Sequence, residues 1–411
     1  MDANKLLIIG LVWPEPTSSA AGTRMVQLVE LFVAGGFEVT FGCAAAKSEF
    51  SFNLATLGVA EKQIKLNDEC FNGFIKDAKP NLVVYDRFVI EEQFGWRVQQ
   101  ECPSAMTILD TEDLHFLRHA RQAVAKSKND EPEHLFNDTA KREIASILRC
   151  DLSLIISEEE VKLLQQKFRI DQSLLYYLPF LEKEITTAEI EKWPSFNERK
   201  DFVFIGNFLH EPNWHTVQFL KTKIWPILRK RIPQAQLNVY GAYPSEKVFQ
   251  LNNTKENFNI LGRANNAKEV ISQHRILLAP IQFGAGAKGK FIDAMHVGTP
   301  SATTSVGAEA IKGNLEWNGF IEDDVDDFIN KTPALYQNEE RWNCAQQNGI
   351  KIINERYNAK KFSDQFVEKV KDIYAKLAIH RHNNFFGQIL KHHTVQSTKY
   401  MSLWIEEKNK K

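Results

Sequence analysis

The chain has 411 residues, too many for one ordinary core, so two domains are expected. Its 43% hydrophobic and 25% charged residues are ordinary for a soluble globular enzyme. A net charge of -1 leaves no basic excess to neutralise a phosphate backbone, which excludes nucleic acid as the main partner. Five scattered cysteines (43, 70, 102, 150 and 344), with no Cys-x-x-Cys pair, suit a reducing cytosol and give neither a disulfide frame nor a zinc site. The start, Met1-Asp-Ala-Asn-Lys, lacks the basic and apolar stretches of a secretion signal. No run of about 18 apolar residues is present to span a membrane.

Residues 6–12 read as a buried parallel strand, short and continuously apolar. A loop with Pro14, Pro16 and Thr17-Ser-Ser-Ala-Ala-Gly22 follows. A helix over 23–32 then places Met25, Leu28, Val29 and Phe32 on one face and stops at Gly35-Gly36. The next strand is 37–41. This is a doubly wound start, and its first loop lies where such sheets bind ligands. Further strands are expected at 63–66, 82–85, 106–109, 152–156 and 174–180. Polar groups close three of them: Asp86-Arg87, then Asp110-Thr-Glu-Asp-Leu-His115, then Ser157-Glu-Glu-Glu160. Ser157 and Glu160 have capping-box spacing, so that cluster reads as a helix start. Residues 126–132 read as an exposed loop between helices.

Residues 182–200 lose apolar periodicity and form the expected linker between a first domain, 1–181, and a second, 201–375. Strands are expected at 202–205, 237–240, 259–261 and 276–281, with a helix over 214–231. The last of these strands runs into Phe283-Gly-Ala-Gly-Ala-Lys-Gly-Lys-Phe-Ile-Asp-Ala-Met295 and a helix ending near Gly298. Glycines let backbone N–H groups approach an anion, the helix start adds partial positive charge, and Lys288 adds a full one. Residues 376–411 carry Phe385, Phe386, Ile389, Leu390, Tyr400, Leu403 and Trp404 among polar residues and must pack on something. The plain reading is a terminal helical segment docked on the first domain. The sharper one is an interfacial membrane helix, given Lys391, His392, His393 and Lys399.

Phe204-Ile-Gly-Asn-Phe-Leu-His-Glu-Pro-Asn213, Gly262-Arg263 and residues 280–309 resemble the donor half of retaining glycosyltransferases of the GT-B fold, the group called family four (bacterial glycosyl transferases group 1). The resemblance implies two Rossmann-like α/β domains facing across a cleft. It implies sugar transfer, with retention, from a nucleotide-diphosphate sugar to a glycan or lipid-linked acceptor, without a metal or cofactor. The setting implied is cytoplasmic, peripheral at the inner membrane face on the sharper reading of the terminal segment.

The resemblance gives Lys288 and His115 as catalytic residues. It gives Gly22, Arg24, Asn207, Arg263, Gly284, Gly286, Asp293, Gly307 and Glu309 as donor-binding residues. Asp110, Glu112 and Asp113 stand as possible proton acceptors or as a solvated acidic loop. Two departures stand out. Ala285 occupies a position where relatives carry glutamate, and Asn207 one where a basic residue is frequent. Two alternatives remain open: a non-catalytic nucleotide-sugar-binding partner of a transferase, and a nucleotide-sugar epimerase.

Overall fold

The computed structural model describes residues 4–127 and 134–410. Most of the loop expected at 126–132 falls outside them. Seven strands form the first sheet: β1 (Asn4–Gly10), β2 (Phe37–Cys43), β3 (Ala60–Gln63), β4 (Leu82–Asp86), β5 (Met106–Asp110), β6 (Leu152–Ile155) and β7 (Leu175–Tyr177). Their spatial order is β3-β2-β1-β4-β5-β6-β7, and every pairing is parallel. Helices cover both faces, which is why β4 and β6 are buried at every position and read as continuous apolar runs.

Two strands differ from expectation. The edge strand β3 is the exposed Ala-Glu-Lys-Gln at 60–63 rather than 63–66. An edge strand covered on one side needs no apolar run, and Ile64 ends it by donating its N–H to Cys43 O. The strand expected over 174–180 shortens to β7, which pairs only with β6.

The second sheet holds β8 (Lys200–Ile205), β9 (Leu237–Tyr240), β10 (Phe258–Gly262), β11 (His274–Ala279), β12 (Ser301–Thr303) and β13 (Gly319–Ile321). It is again all parallel, ordered β10-β9-β8-β11-β12-β13. The three-residue edge strand β13, half-buried throughout, carries no apolar pattern that the sequence reveals.

The chain crosses between domains twice, side by side. Glu182 donates its N–H to Tyr357 O at 2.7 Å, and Ala359 donates back to Glu182 O at 2.8 Å. The return therefore comes at Asn358 rather than at 376. Helix Ala359–Ala375 buries Phe366, Val370 and Ile373 beside Leu6, Phe32 and Val39 in the first domain. Spacing at i, i+4, i+7 reveals that a face is buried but not against which domain. Helices Leu377–Asn383 and Phe385–Asn409 continue along the first domain, the last resting on helices Phe88–Glu101 and Asp138–Arg149.

Candidate active site

Strand order reverses between β1 and β4 in one sheet and between β8 and β11 in the other. Loops at the carboxyl ends of strands flanking such reversals form a crevice. Here the two crevices face each other and enclose a cavity of about 500 Å³, lined from the first domain by residues 16–21, Arg87, Glu112, Asp113 and His115, and from the second by Asn207, Asn213, Gly284, Ala285, Lys288, Lys290 and Asp293.

Two helix starts meet there. Ser19 caps helix Ala20–Ala34 by accepting from Gly22 N at 3.0 Å. Helix Gly289–His296 begins opposite, and a Cβ added at Gly289 would stand 2.6 Å from that of Ala20. Only glycine permits this approach. The unpaired first-turn amides and partial positive charges of two helices from different domains thus open on one space, a setting suited to an anion.

The two lysines of the turn are held differently. Lys288 donates to Gly286 O at 3.0 Å and lies 3.9 Å from Glu309 Oε2. Burial lowers its pKa to about 8, with Glu309 opposing. Lys290 donates to Asn213 Oδ1 at 2.6 Å and sits 4.3 Å above the Phe204 ring. No carboxylate among the described residues pairs with it, and burial lowers its pKa to about 7. A desolvated cation lacking a counter-charge is stabilised by an arriving anion. Lys290 follows Lys288 in the same Lys-Gly-Lys run, but sequence alone did not say which ammonium is left unneutralised.

The glycine-rich turn is gripped by the first domain. Gly286 has φ 64°, and an added Cβ would lie 2.8 Å from Asp113 Cβ. Its N–H donates to Glu160 Oε1 at 2.7 Å. Ser157 does cap its helix, accepting from Glu160 N at 3.2 Å, but the Glu160 carboxylate leaves the capping box for Gly286 and for Leu114 N. Burial raises Glu160 to about 7. Arg121 donates to both carboxylate oxygens of Glu309, at 2.6 and 2.8 Å, and to Gly284 O at 2.8 Å. Ala285 packs among first-domain apolar residues. Neither Glu160 nor Arg121 has a sequence signal beyond ordinary helix spacing, because each acts across the domain gap.

The acidic stretch is not a solvated loop. Asp110 is fully buried, and Glu112 and Asp113 nearly so. Burial, reinforced by Asp110, raises Glu112 well above the ordinary carboxylate range. For Asp113 burial works upward, but Arg118 at 2.6 Å outweighs it and holds the carboxyl low. Arg87 and Glu112, at the ends of adjacent strands β4 and β5, both adopt positive φ, 72° and 62°. Strained non-glycine backbone of this kind collects at functional sites. His115 lines the cavity with Nε2 3.4 Å from Asp113 Oδ1. Burial lowers it to about 4, so at neutral pH it is an uncharged imidazole.

Of the other residues singled out from the sequence, Asn207, Gly284 and Asp293 line the cavity. Asp293, raised by burial to about 6, lies 3.8 Å from Lys268. Four lie elsewhere. Gly22 packs against the Glu15 backbone, which a Cβ would meet at 2.3 Å, and its N–H is held by Ser19. Arg24 is buried, bonded to Asp110 at 2.9 Å and to Leu178 O at 2.8 Å, where it ties β5 to the chain after β7. Gly307 makes room for Thr303 Oγ1, 1.9 Å from an added Cβ. Arg263 bridges the domains at the rim, donating to Thr17 Oγ1 and Ser18 Oγ over the Phe50 ring.

Two facing doubly wound domains with the ligand cavity between them define the GT-B class. The chain superposes on sucrose-phosphate synthase from Thermosynechococcus elongatus (14% identity, 91% of this chain and 100% of that one, TM-score 0.68). It superposes equally on Anabaena Alr3699/HepE in complex with UDP and glucose (12%, 89% and 99%, TM-score 0.67). The pneumococcal O-GlcNAc transferase GtfA in complex with UDP and GlcNAc is a third such structure (11%, 91% and 99%, TM-score 0.67). No curated protein matches by sequence. Residues 199–338 match the family model of glycosyl transferases group 1. The second domain is thus a glycosyl transferases group 1 domain, carried in a GT-B chain.

Proposed function

We propose that the protein transfers a sugar from a nucleotide-diphosphate sugar to a glycan or lipid-linked acceptor, with retention of configuration and without a metal ion. The observation that carries this reading is Lys290, a half-buried lysine without a carboxylate partner among the described residues, beside the two converging helix starts. The donor diphosphate lies over Gly289 and Ala20 with Lys290 and Lys288 at its oxygens, and Asp293 accepts from the ribose. The UDP bound by HepE and GtfA, proteins of the same fold, supports this choice of ligand class.

As the bond between the anomeric carbon and the diphosphate breaks, negative charge grows on the leaving oxygen. Fixed donors aimed at that charge each contribute roughly 10²–10³ in rate. The acceptor hydroxyl attacks from the same face and its proton passes to the departing diphosphate. Retention rests on the resemblance of residues 280–309 to the retaining group. His115, uncharged, accepts a hydrogen bond from the sugar or the acceptor hydroxyl. Protein cations at the diphosphate take the part that a metal plays in other transferases.

Ala285 favours one second reading, a nucleotide-sugar-binding partner that does not catalyse transfer. Release of nucleoside diphosphate from a panel of nucleotide sugars, with an extract of acceptors, decides between them. Turnover that disappears in Lys288→Ala supports transfer. Saturable donor binding without release with any donor supports the second reading.

A further inference from the structure

Helix Phe385–Asn409 is docked the wrong way round for a soluble protein. An amphipathic helix ordinarily buries its apolar stripe and exposes its polar one. Among the described residues, those fully buried under the helix are small or polar. Gly387 lies against Leu148 O, Ser402 is 3% exposed, and Glu406 pairs with Arg97 of helix Phe88–Glu101. Arg97 also donates to Ser402 Oγ and to Asn72 Oδ1, and Ser402 donates to Asn67 Oδ1. The preceding Arg381 anchors the turn through Asp151 and the Pro103 and Ala105 carbonyls.

The outward face, following the three- and four-residue spacing of a helix, carries Phe385, Phe386, Ile389, Tyr400, Leu403 and Trp404. Phe385, Phe386, Tyr400 and Trp404 are 62–73% exposed. His392 and His393 lie on the same outward side.

The polar face is held by the first domain, and among the described residues nothing covers the aromatic one. Its charge setting selects among external ones. From residue 380 onward the chain has six lysines and arginines against two glutamates, whereas the whole chain has a net charge of -1. Arg381 and Lys391 pair inward with Asp151 and Glu406 pairs with Arg97, which leaves Lys399, Lys408 and Lys410 against Glu407. A second copy of this face would set cation against cation, which is unfavourable. An anionic sheet complements it. Trp and Tyr, with apolar bodies and a polar N–H or O–H, settle at the headgroup boundary, and the wholly apolar Phe rings enter just beneath it.

We propose that this face is a membrane-surface contact for a bilayer carrying anionic lipid. The helix lies flat, its aromatic residues enter the headgroup region, and Lys399 and Lys408 reach the phosphates. At 25 residues it spans roughly 37 Å in the plane. No helix among the described residues is long and apolar enough to cross a membrane, so the contact is peripheral. It does not depend on the activity proposed above.

The test is co-sedimentation of the full chain with vesicles of phosphatidylcholine containing phosphatidylglycerol, and of phosphatidylcholine alone. The protein is expected to pellet with the first, less with the second, and less at high salt. The variant Phe385→Ser/Phe386→Ser/Trp404→Ser is expected to lose at least about tenfold in partitioning with its melting temperature unchanged, because all three side chains are exposed. Wild-type protein left in the supernatant of both vesicles, or a variant that binds equally well, overturns the proposal. So does a concentration-dependent dimer in sedimentation velocity that the same variant disperses, in the absence of vesicle binding, which would assign the face to a second copy. Donor binding measured on the variant stays as in the wild type, so failure here and failure of the transferase reading are separable.

Discussion

Glu160 Oε1, on a helix of the first domain, accepts the backbone N–H of Gly286 in the glycine-rich turn of the second at 2.7 Å. This one hydrogen bond joins the two halves of the cleft at the turn that carries Lys288 and Lys290. Its energetics follow from burial. The folded chain keeps a proton on Glu160 up to about pH 7, whereas the unfolded chain releases it near the ordinary carboxylate value. The stability tied to this group is therefore full below about pH 4.5 and lost as pH rises through about 7. Glu160→Gln, uncharged at every pH, is expected to flatten the fall in melting temperature across that window. The effect is on the order of 3 kcal/mol. Asp293 and Glu143, raised to about 6 and about 8, add slope of the same sign, and His115 and His210, lowered to about 4, add slope of the opposite sign, so the effect is read as the difference between variant and wild type. An unchanged profile would contradict the assignment of Glu160.

Gly286→Ala tests the same contact from the other side. A side chain there meets Asp113 Cβ at 2.8 Å and a backbone φ of 64° that disfavours any β-carbon. The expected cost is about 1–3 kcal/mol, with a raised KM for the donor as the turn shifts away from the first domain. Melting curves and steady-state kinetics check both parts.

Arg24→Ala separates structure from site. Removing Arg24 leaves Asp110 buried without its cation, for which roughly 3–5 kcal/mol of destabilisation is expected. Donor affinity in whatever fraction stays folded should be unchanged, because Arg24 does not line the cavity. A selective rise in donor Kd with an intact melting temperature would return Arg24 to the binding site.

What the sequence disclosed and what it hid divide along one line. Strands flanked by helices were legible because burial on both sheet faces demands continuous apolar runs, and the turn at 283–295 was legible because glycines and lysines beside a helix start have few other uses. Contacts across the domain gap were not. Glu160 has the spacing of a helix cap, and half of that motif is present, yet its carboxylate serves another domain. Arg121 appears as one more charge on a polar helix but holds Glu309 and Gly284 O. Arg24 and Gly22 lie near the cleft in sequence, but one faces a buried carboxylate and the other a neighbouring backbone. Periodicity reports which residues are buried; only the docking of two domains decides what they meet.

The pH dependence of donor binding follows from the lysines. With Lys290 lowered by burial to about 7 and Lys288 to about 8, the free site loses positive charge as pH rises through that range. A bound diphosphate favours the charged forms, so affinity should weaken from about pH 7 upward. Lys290→Ala is expected to flatten the lower part of this profile and to reduce kcat/KM by roughly 10²–10³.

The most direct measurement is calorimetric titration of a nucleoside diphosphate, with its matching nucleotide sugar, into the wild type and Lys290→Ala at pH 7. The account predicts one saturable site per chain in the wild type and at least about tenfold weaker binding in the variant, with its melting temperature retained. Equal affinity in the two proteins, or no binding of any nucleoside diphosphate to the wild type, would contradict it.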